Sequence, residues 1–327
     1  MTILVTGSSG HLGEALMRLC ATRGLAARGL DVKPGPYTDL VGSIDDRAVV
    51  ARAMVGVRGV LHAATLHKPH VVTHAAQAFV DVNVSGTLAL LEAAVAERVA
   101  AFVFTSTTSA FGSALAPGPD APAAWITEEV VGAPKNIYGA TKTAAEGVCH
   151  LFHRQHGLAC VVLRTSRFFP EQDDNRAQRL AFDDTNLKAN EFLHRRVDLA
   201  DAAEAHLLAL TRAGEIGFDR LIVSATPPFA RAEAQALRRD PAGVVAAHVP
   251  AYRGVYQRLG FRLPDDIARV YDNARARRVL GWRPRYDFAR VVAQLDRGEA
   301  PGSALARAVG AKGYHDQVFA DGPFPVD

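Results

Sequence analysis

The sequence predicts an α/β fold: a doubly wound parallel sheet with a smaller C-terminal substrate-binding lobe. Three observations predict it. A β-rich run at the N-terminus, Ile3 to Val5, meets Gly7, Gly10 and Gly13 and then an apolar helical pattern. Strand-like and helix-like runs alternate from there to about residue 165. Beyond it the alternation breaks into polar, charged sequence from Glu171 to Arg196, where a lobe would be inserted, before core-like patterning returns.

The glycine turn carries the first chemical inference. Glycines between a strand and a helix let backbone N–H groups and the positive helix end approach a pyrophosphate with no side chain in the way. The following helix, Leu12 to Arg23, has apolar residues at Leu12, Ala15, Leu16 and Leu19 and is ended by Gly24. A second strand, Ala27 to Leu30, stops at Asp31, about 20 residues past the glycines, where a carboxylate meets the ribose hydroxyls of an adenosine half. A carboxylate repels a 2′-phosphate, so NAD is expected in preference to NADP, although Arg28 and Lys33 lie close by. The alternative for Asp31 is a solvated turn acid.

A short third strand, Asp39 to Val41, leads through Ser43 and Ile44 to a helix at about Asp46 to Met54. A fourth, Val60 to Ala64, ends in small residues, Ala63 and Ala64, as a flat cofactor crossing the sheet edge requires. The basic loop that follows, Leu66 to His70 with Lys68, borders the expected crevice; it either touches an anionic group or is simply solvated. A long Ala/Leu-rich helical region runs from Ala75 to Arg98 and contains Asn83. The fifth strand, Phe102 to Thr105, continues into Ser106, Thr107, Thr108 and Ser109, hydroxyls that are costly to bury without hydrogen-bonding work. A Pro/Ala/Gly loop, Ala114 to Pro134, precedes a helix that begins around Tyr138 and continues to about His156.

Tyr138 and Lys142 are four apart and share one helix face. A phenol is a poor base at neutral pH, and a neighbouring ammonium favours its phenolate. A hydroxyl from the Ser106 to Thr108 cluster could then hold a substrate oxygen while Tyr138 exchanges the proton. The sixth strand, Ala159 to Arg164, ends at Thr165 to Pro170. A helix from Leu199 to Leu210 and a strand from Arg220 to Ala225 restore core patterning, with helical pieces at Arg231 to Arg239 and Ala274 to Leu280 beyond. The dinucleotide-binding unit is therefore placed at 1–165, rejoined by about 198–226, and the substrate lobe and tail at 166–197 and 227–327.

Composition narrows the class. In 327 residues, 49% are hydrophobic and 22% charged, which supports a sizeable core. A net charge of +3 with dispersed bases gives nucleic-acid binding no support. Cys20, Cys149 and Cys160 have neither metal-ligand nor disulfide spacing and read as buried thiols of a reducing compartment. No signal peptide, membrane span or metal site is expected, which suggests a cytoplasmic location.

Taken together, these residues resemble an extended short-chain dehydrogenase/reductase, the Rossmann-type group that contains NAD-dependent sugar epimerases and dehydratases. The matches run in family order: Thr6-Gly7-x-x-Gly10-x-x-Gly13, Asp31, His62-Ala63-Ala64, Asn83-Val84-x-Gly86-Thr87, the hydroxyl cluster before Gly112, Tyr138-x-x-x-Lys142 and Leu280-Gly281-Trp282-x-Pro284. The resemblance implies Tyr138 as general acid/base, Lys142 as partner of the nicotinamide ribose, and Thr107 as the substrate-oxygen hydroxyl, with Ser106 and Thr108 as alternatives. Asn83 would support the active-site helix; the alternative is a polar mid-helix residue facing solvent. The implied cofactor contacts are Gly7, Ser9, Gly10, His11, Leu12, Gly13, Asp31, Ser43, Ile44, Ala63 and Ala64, together with Tyr138 and Lys142. A homodimer through two long helices per subunit is a family expectation.

One departure bears on the substrate. Members acting on nucleotide sugars usually carry a glycine turn before their paired acids, and this chain has Arg195-Arg196-Val197-Asp198-Leu199-Ala200-Asp201 instead. The Arg164 to Glu171 region is similar to shorter members that oxidise free sugar acids. Lys68, Thr108, Arg167, Lys188 and Arg195 are the substrate candidates, the bases as partners for a carboxylate or phosphate; the alternative for any one base is that it is solvated or holds loops together. The expected activity is hydride transfer between NAD and an alcohol or carbonyl of a small polar, sugar-derived substrate. The alternatives are an epimerase or dehydratase with retained cofactor, and a non-catalytic dinucleotide sensor.

Overall fold

The computed structural model describes residues 2–315, 318–320 and 322. Nine strands are assigned in it: β1 (Thr2–Thr6), β2 (Ala27–Asp31), β3 (Leu40–Val41), β4 (Val57–His62), β5 (Ala101–Thr107), β6 (Ala124–Ile126), β7 (Cys160–Thr165), β8 (Phe218–Val223) and β9 (Arg269–Tyr271). Seven of them form one parallel sheet in the order β3-β2-β1-β4-β5-β7-β8. The chain winds outward from β1 in one direction to β3, then returns to β4 and winds the other way. That reversal opens a crevice at the carboxyl ends of β1 and β4, where the glycine turn and Ala63-Ala64 lie.

Strands covered on both faces read as continuous apolar runs, and β7, Cys-Val-Val-Leu-Arg-Thr, is buried throughout. On one face Leu12, Leu16, Ala203 and Leu207 pack from the His11–Thr22 and Leu199–Ile216 helices. On the other, Val50, Leu90, Leu91 and Cys149 pack from the helices of residues Arg47–Met54, Ala76–Ala96 and Ile137–His156. All three cysteines are free and buried. The Ala76–Ala96 helix is long and apolar enough by composition to cross a membrane, but it packs against both of its neighbours in this layer, as a core helix does.

A separate apolar cluster, including Phe192, Phe229, Leu237, Tyr256 and Phe288, builds the lobe. It is fastened to the sheet unit by the Gly281-Trp282 stretch: Trp282 is fully buried and its indole N–H donates to the Asp201 carbonyl at 3.0 Å. The Asp201 carboxylate accepts the Arg285 and Tyr286 N–H groups at 2.9 and 2.8 Å.

Three local expectations are revised. β4 ends at His62 rather than Ala64, which leaves Ala63 and Ala64 in the loop. The 114–134 loop contains β6, paired in parallel with β9 far along the chain, and three-residue strands of that kind leave no local signature. The polar 171–196 stretch folds into two helices, Arg176–Ala181 and Asp184–Glu191, whose first N–H groups are capped by Asn175 and Asp183.

Candidate active site

At the crevice the chain turns where only glycine fits. Gly7 has φ +73°, and a Cβ there would lie 2.8 Å from the Ala64 nitrogen. A Cβ on Gly13 would collide with the Gly7 carbonyl. β1 and the helix therefore approach each other without side chains, and Gly10 forms the N-cap of His11–Thr22. Asp31 braces this turn from β2: one carboxylate oxygen accepts the Ser9 N–H at 2.9 Å and the other the Lys33 N–H at 2.9 Å. It is not a free turn acid. The glycine cradle fits a pyrophosphate, and the carboxylate stands at the side where ribose hydroxyls would lie.

A cleft of about 1120 Å³ opens over this turn and extends past Tyr138 to Arg195. Every residue named above for the dinucleotide lines it except Lys142, which is buried behind. Thr107, Thr108 and Tyr138 line its floor, and Lys68, Arg167 and Arg195 its far end. Lys188 is not among the lining residues; its ammonium pairs with Asp184 and donates to the Pro170 carbonyl, so it serves the fold of its own helix.

The hydroxyl cluster divides by partner. Ser106 donates to Glu146 at 2.6 Å, inside a buried network in which Arg164 and Arg220 also bind Glu146, at 2.7 and 3.1 Å. Thr107 instead accepts the Ser109 N–H at 3.1 Å and lines the cleft together with Tyr138. Of the two neighbours on β5, Thr107 is thus the one whose hydroxyl is not taken up by Glu146 and acts on the phenol. Burial pushes Tyr138 up to about 12, against which the nearby Thr107 hydroxyl acts. Burial also pushes Lys142 down to about 7, opposed by Cys149 and Glu146, and its ammonium lies 4.0 Å from the centre of the Phe104 ring. In the protein alone, burial dominates Tyr138, and Lys142 is not among the groups that shift it.

Asn83 is buried and not solvent-facing. It sits in a π-turn, Asp81–Ser85, within the long helix. Its amide donates to Leu66 O at 2.8 Å and Thr141 Oγ1 at 3.1 Å and accepts from Thr65 Oγ1 and Leu66 N at 2.8 and 2.9 Å. Thr141 belongs to the Tyr138 helix. Asn83 does not line the cleft and is a positioning residue that ties the post-β4 loop to that helix.

The basic end of the cleft is already neutralised, which the sequence did not indicate. Arg167 pairs with Asp173 at 3.1 Å, Arg195 with Glu191 at 2.9 Å, and Lys68 with Asp174. Glu191 is fully buried among Arg167, Arg195 and Arg196. These bases therefore meet a ligand as members of ion pairs. His67, in the loop expected to border the crevice, stacks on Phe169 in the cleft wall at 5.4 Å, while sequence reasoning missed Phe169 itself and Lys312, Gly313 and Tyr314 from the C-terminal stretch. Nothing in their local sequence signals the site, since each reaches it through the tertiary fold.

The model of the NAD dependent epimerase/dehydratase family matches residues 3–217. A UDP-glucose 4-epimerase of Rhizobium meliloti is 28% identical over 330 residues, covering 88% of this chain and 94% of that protein. A dTDP-glucose 4,6-dehydratase of Streptomyces niveus is 34% identical over 194 residues, 53% of this chain and 55% of that protein, so the match spans about half of that relative. Among solved structures, a short-chain dehydrogenase/reductase superfamily protein from Agrobacterium tumefaciens with bound NAD superposes with a TM-score of 0.63 at 23% identity, over 91% of this chain and 98% of that one.

Proposed function

The chain belongs to the NAD dependent epimerase/dehydratase family, and from that premise we propose that it is a sugar epimerase that oxidises a carbinol, turns the resulting ketone and reduces it again, with NAD retained. The observation that carries this reading is that Thr107 and Tyr138 line one cleft with the glycine turn and Asp31. The chemistry that bound NAD supplies is hydride acceptance and return. Gly7, Gly10 and Gly13 would hold its pyrophosphate, Asp31 its adenosine ribose, and Lys142 its nicotinamide ribose. Thr107 Oγ1 orients the substrate oxygen, and Tyr138 Oη takes its proton on oxidation and gives it back on reduction.

Epimerisation needs one acid/base at the reacting carbon. Dehydration needs a second pair of groups to remove an α-proton and protonate a leaving hydroxyl. The residues following Thr107 are Thr108 and Ser109, and the carboxylates lining the cleft are Asp31, bound to the glycine turn, and Asp173 and Asp174, bound to Arg167 and Lys68. This disfavours the dehydratase branch. Net oxidation of a small sugar acid is the second reading, favoured by the Arg195 to Asp201 run that lacks a glycine turn. A homodimer through the Ala76–Ala96 and Ile137–His156 helices belongs to the same proposal; Val80 and Leu151 expose apolar surface on them. So does a cytoplasmic location, consistent with three free thiols.

The deciding experiment measures bound NAD in the purified protein and follows UDP-glucose, UDP-galactose and free sugar acids by chromatography and by NADH absorbance. Interconversion of epimers without net NADH supports the epimerase. Stoichiometric NADH from a sugar acid would replace it with the dehydrogenase.

A further inference from the structure

The described chain returns to the cleft near its C-terminus. The Ala304–Val309 helix ends with Val309 buried in the same apolar cluster as the His11–Thr22 helix, which gives the segment after it a fixed origin. Gly310 and Gly313, with φ of +64° and +67°, let the backbone turn back on itself there. The N–H groups of Lys312 and Gly313 both donate to Glu171 Oε1, at 2.8 and 3.2 Å, the same oxygen that meets His11 Nε2 at 2.8 Å. The Lys312 ammonium pairs with Glu14 in the first turn of the glycine-turn helix. Tyr314 stands edge-on to His67 and Phe169, with ring centres 4.6 and 5.8 Å apart, and His315 Nε2 lies 2.9 Å from the Pro69 carbonyl. Four consecutive residues thus touch the first turn of the helix after β1 and the loops that follow β4 and β7, all of which border the cleft.

We propose that Lys312–His315 is a strap across the dinucleotide cleft, a part of the binding site that slows release of the bound cofactor. The inference rests on the NAD reading above and extends it. Two of the strap's anchors, His11 through Glu171 and Glu14 directly, lie on the first turn of the helix whose N-terminus faces the pyrophosphate position. A segment fixed at that point must lift before a dinucleotide can leave, so its contacts act on the off-rate. An epimerase that reduces its own intermediate benefits, because the reduced cofactor must remain until the hydride is returned.

The test compares the full chain with a chain ended at Gly310 and with Lys312→Ala and Tyr314→Ala, the point variants covering the case in which the shortened chain fails to fold. NADH-loaded protein is mixed with excess NAD and release is followed by NADH fluorescence in stopped flow. The shortened chain should release NADH about tenfold faster or more, the point variants by intermediate factors. NADH should also protect the Lys312–Gly313 bond of the full chain from trypsin. Equal release rates, slower release from the shortened chain, or no protection would overturn the strap while leaving NAD binding intact. A full chain that binds no NADH would overturn both readings.

Discussion

Replacing Glu191 with Gln removes a carboxylate shared by three guanidiniums, two of which, Arg167 and Arg195, line the cleft. Arg196 Nη1, Arg195 Nη2 and Arg167 Nε lie 2.7, 2.9 and 4.0 Å from its oxygens, and its side chain is 2% exposed. Burial raises this carboxyl, but the charges of Arg195, Arg167 and Arg196 lower it further, to about 2 against an ordinary 4.5. A displacement of that size corresponds to about 3 kcal/mol of stability at neutral pH. It agrees with the ~3–5 kcal/mol lost when one partner of a buried ion pair is removed. Because the folded value lies below the unfolded one, the contribution is complete above about pH 4.5 and fades as the pH falls toward 2. Thermal melts of parent and E191Q should differ by about 5 °C or more at pH 7. The gap should narrow by about 1 kcal/mol between pH 7 and pH 3.5. Coincident melts at pH 7, or a gap that widens in acid, would refute the claim that this carboxylate neutralises the bases lining the cleft.

Three further outcomes are expected. Tyr138→Phe should lower turnover by about 10²–10⁴-fold with NADH binding unchanged, measured by fluorescence. The parent's oxidation rate should rise with pH through the alkaline range, since Tyr138 is held near 12, while the Phe variant stays flat. Gly13→Val should abolish NADH binding in a titration, because its Cβ collides with the Gly7 carbonyl. Asn83→Ala should cost about 2 kcal/mol in a denaturant melt by stranding the Leu66 and Thr141 partners. Its turnover should fall more than its NADH affinity, because the loss displaces the Tyr138 helix and not the glycine cradle; a loss confined to NADH affinity would count against that role.

What was legible in the sequence was what the chain encodes locally. The glycine turn, Asp31 at the end of β2, the Ala63-Ala64 pair and the Tyr138/Lys142 spacing each depend on a few adjacent residues, and the structure brings all of them to one cleft or its back wall. The sheet could be read because its strands are long, apolar and separated by helices. β6 and β9 could not, because they stabilise each other across the chain. Which acids pair with the bases was not legible for the same reason: Glu191, Asp173 and Asp174 reach them only once the 171–196 stretch folds back on the cleft. Lys188 looked equivalent to Arg195 in sequence, yet helical geometry directs it to Asp184, four residues earlier.

The site's central pair is governed by a constraint that spacing alone does not reveal. Burial favours the neutral form of both groups, raising Tyr138 to about 12 and lowering Lys142 to about 7. Neutral phenol with neutral amine carries no net charge, and neither does phenolate with ammonium. The two states hold the same number of protons, so passing between them puts no net charge into the buried site, the most costly burden in a low-dielectric interior. In the ionised state the Phe104 ring face under Lys142 and the Thr107 hydroxyl at Tyr138 favour the ammonium and the phenolate respectively. A protonated Tyr138 suits the reducing half of a cycle and an ionised one the oxidising half. A site that must run both halves on one substrate is served by a phenol that burial keeps protonated at rest, not one held permanently as a base.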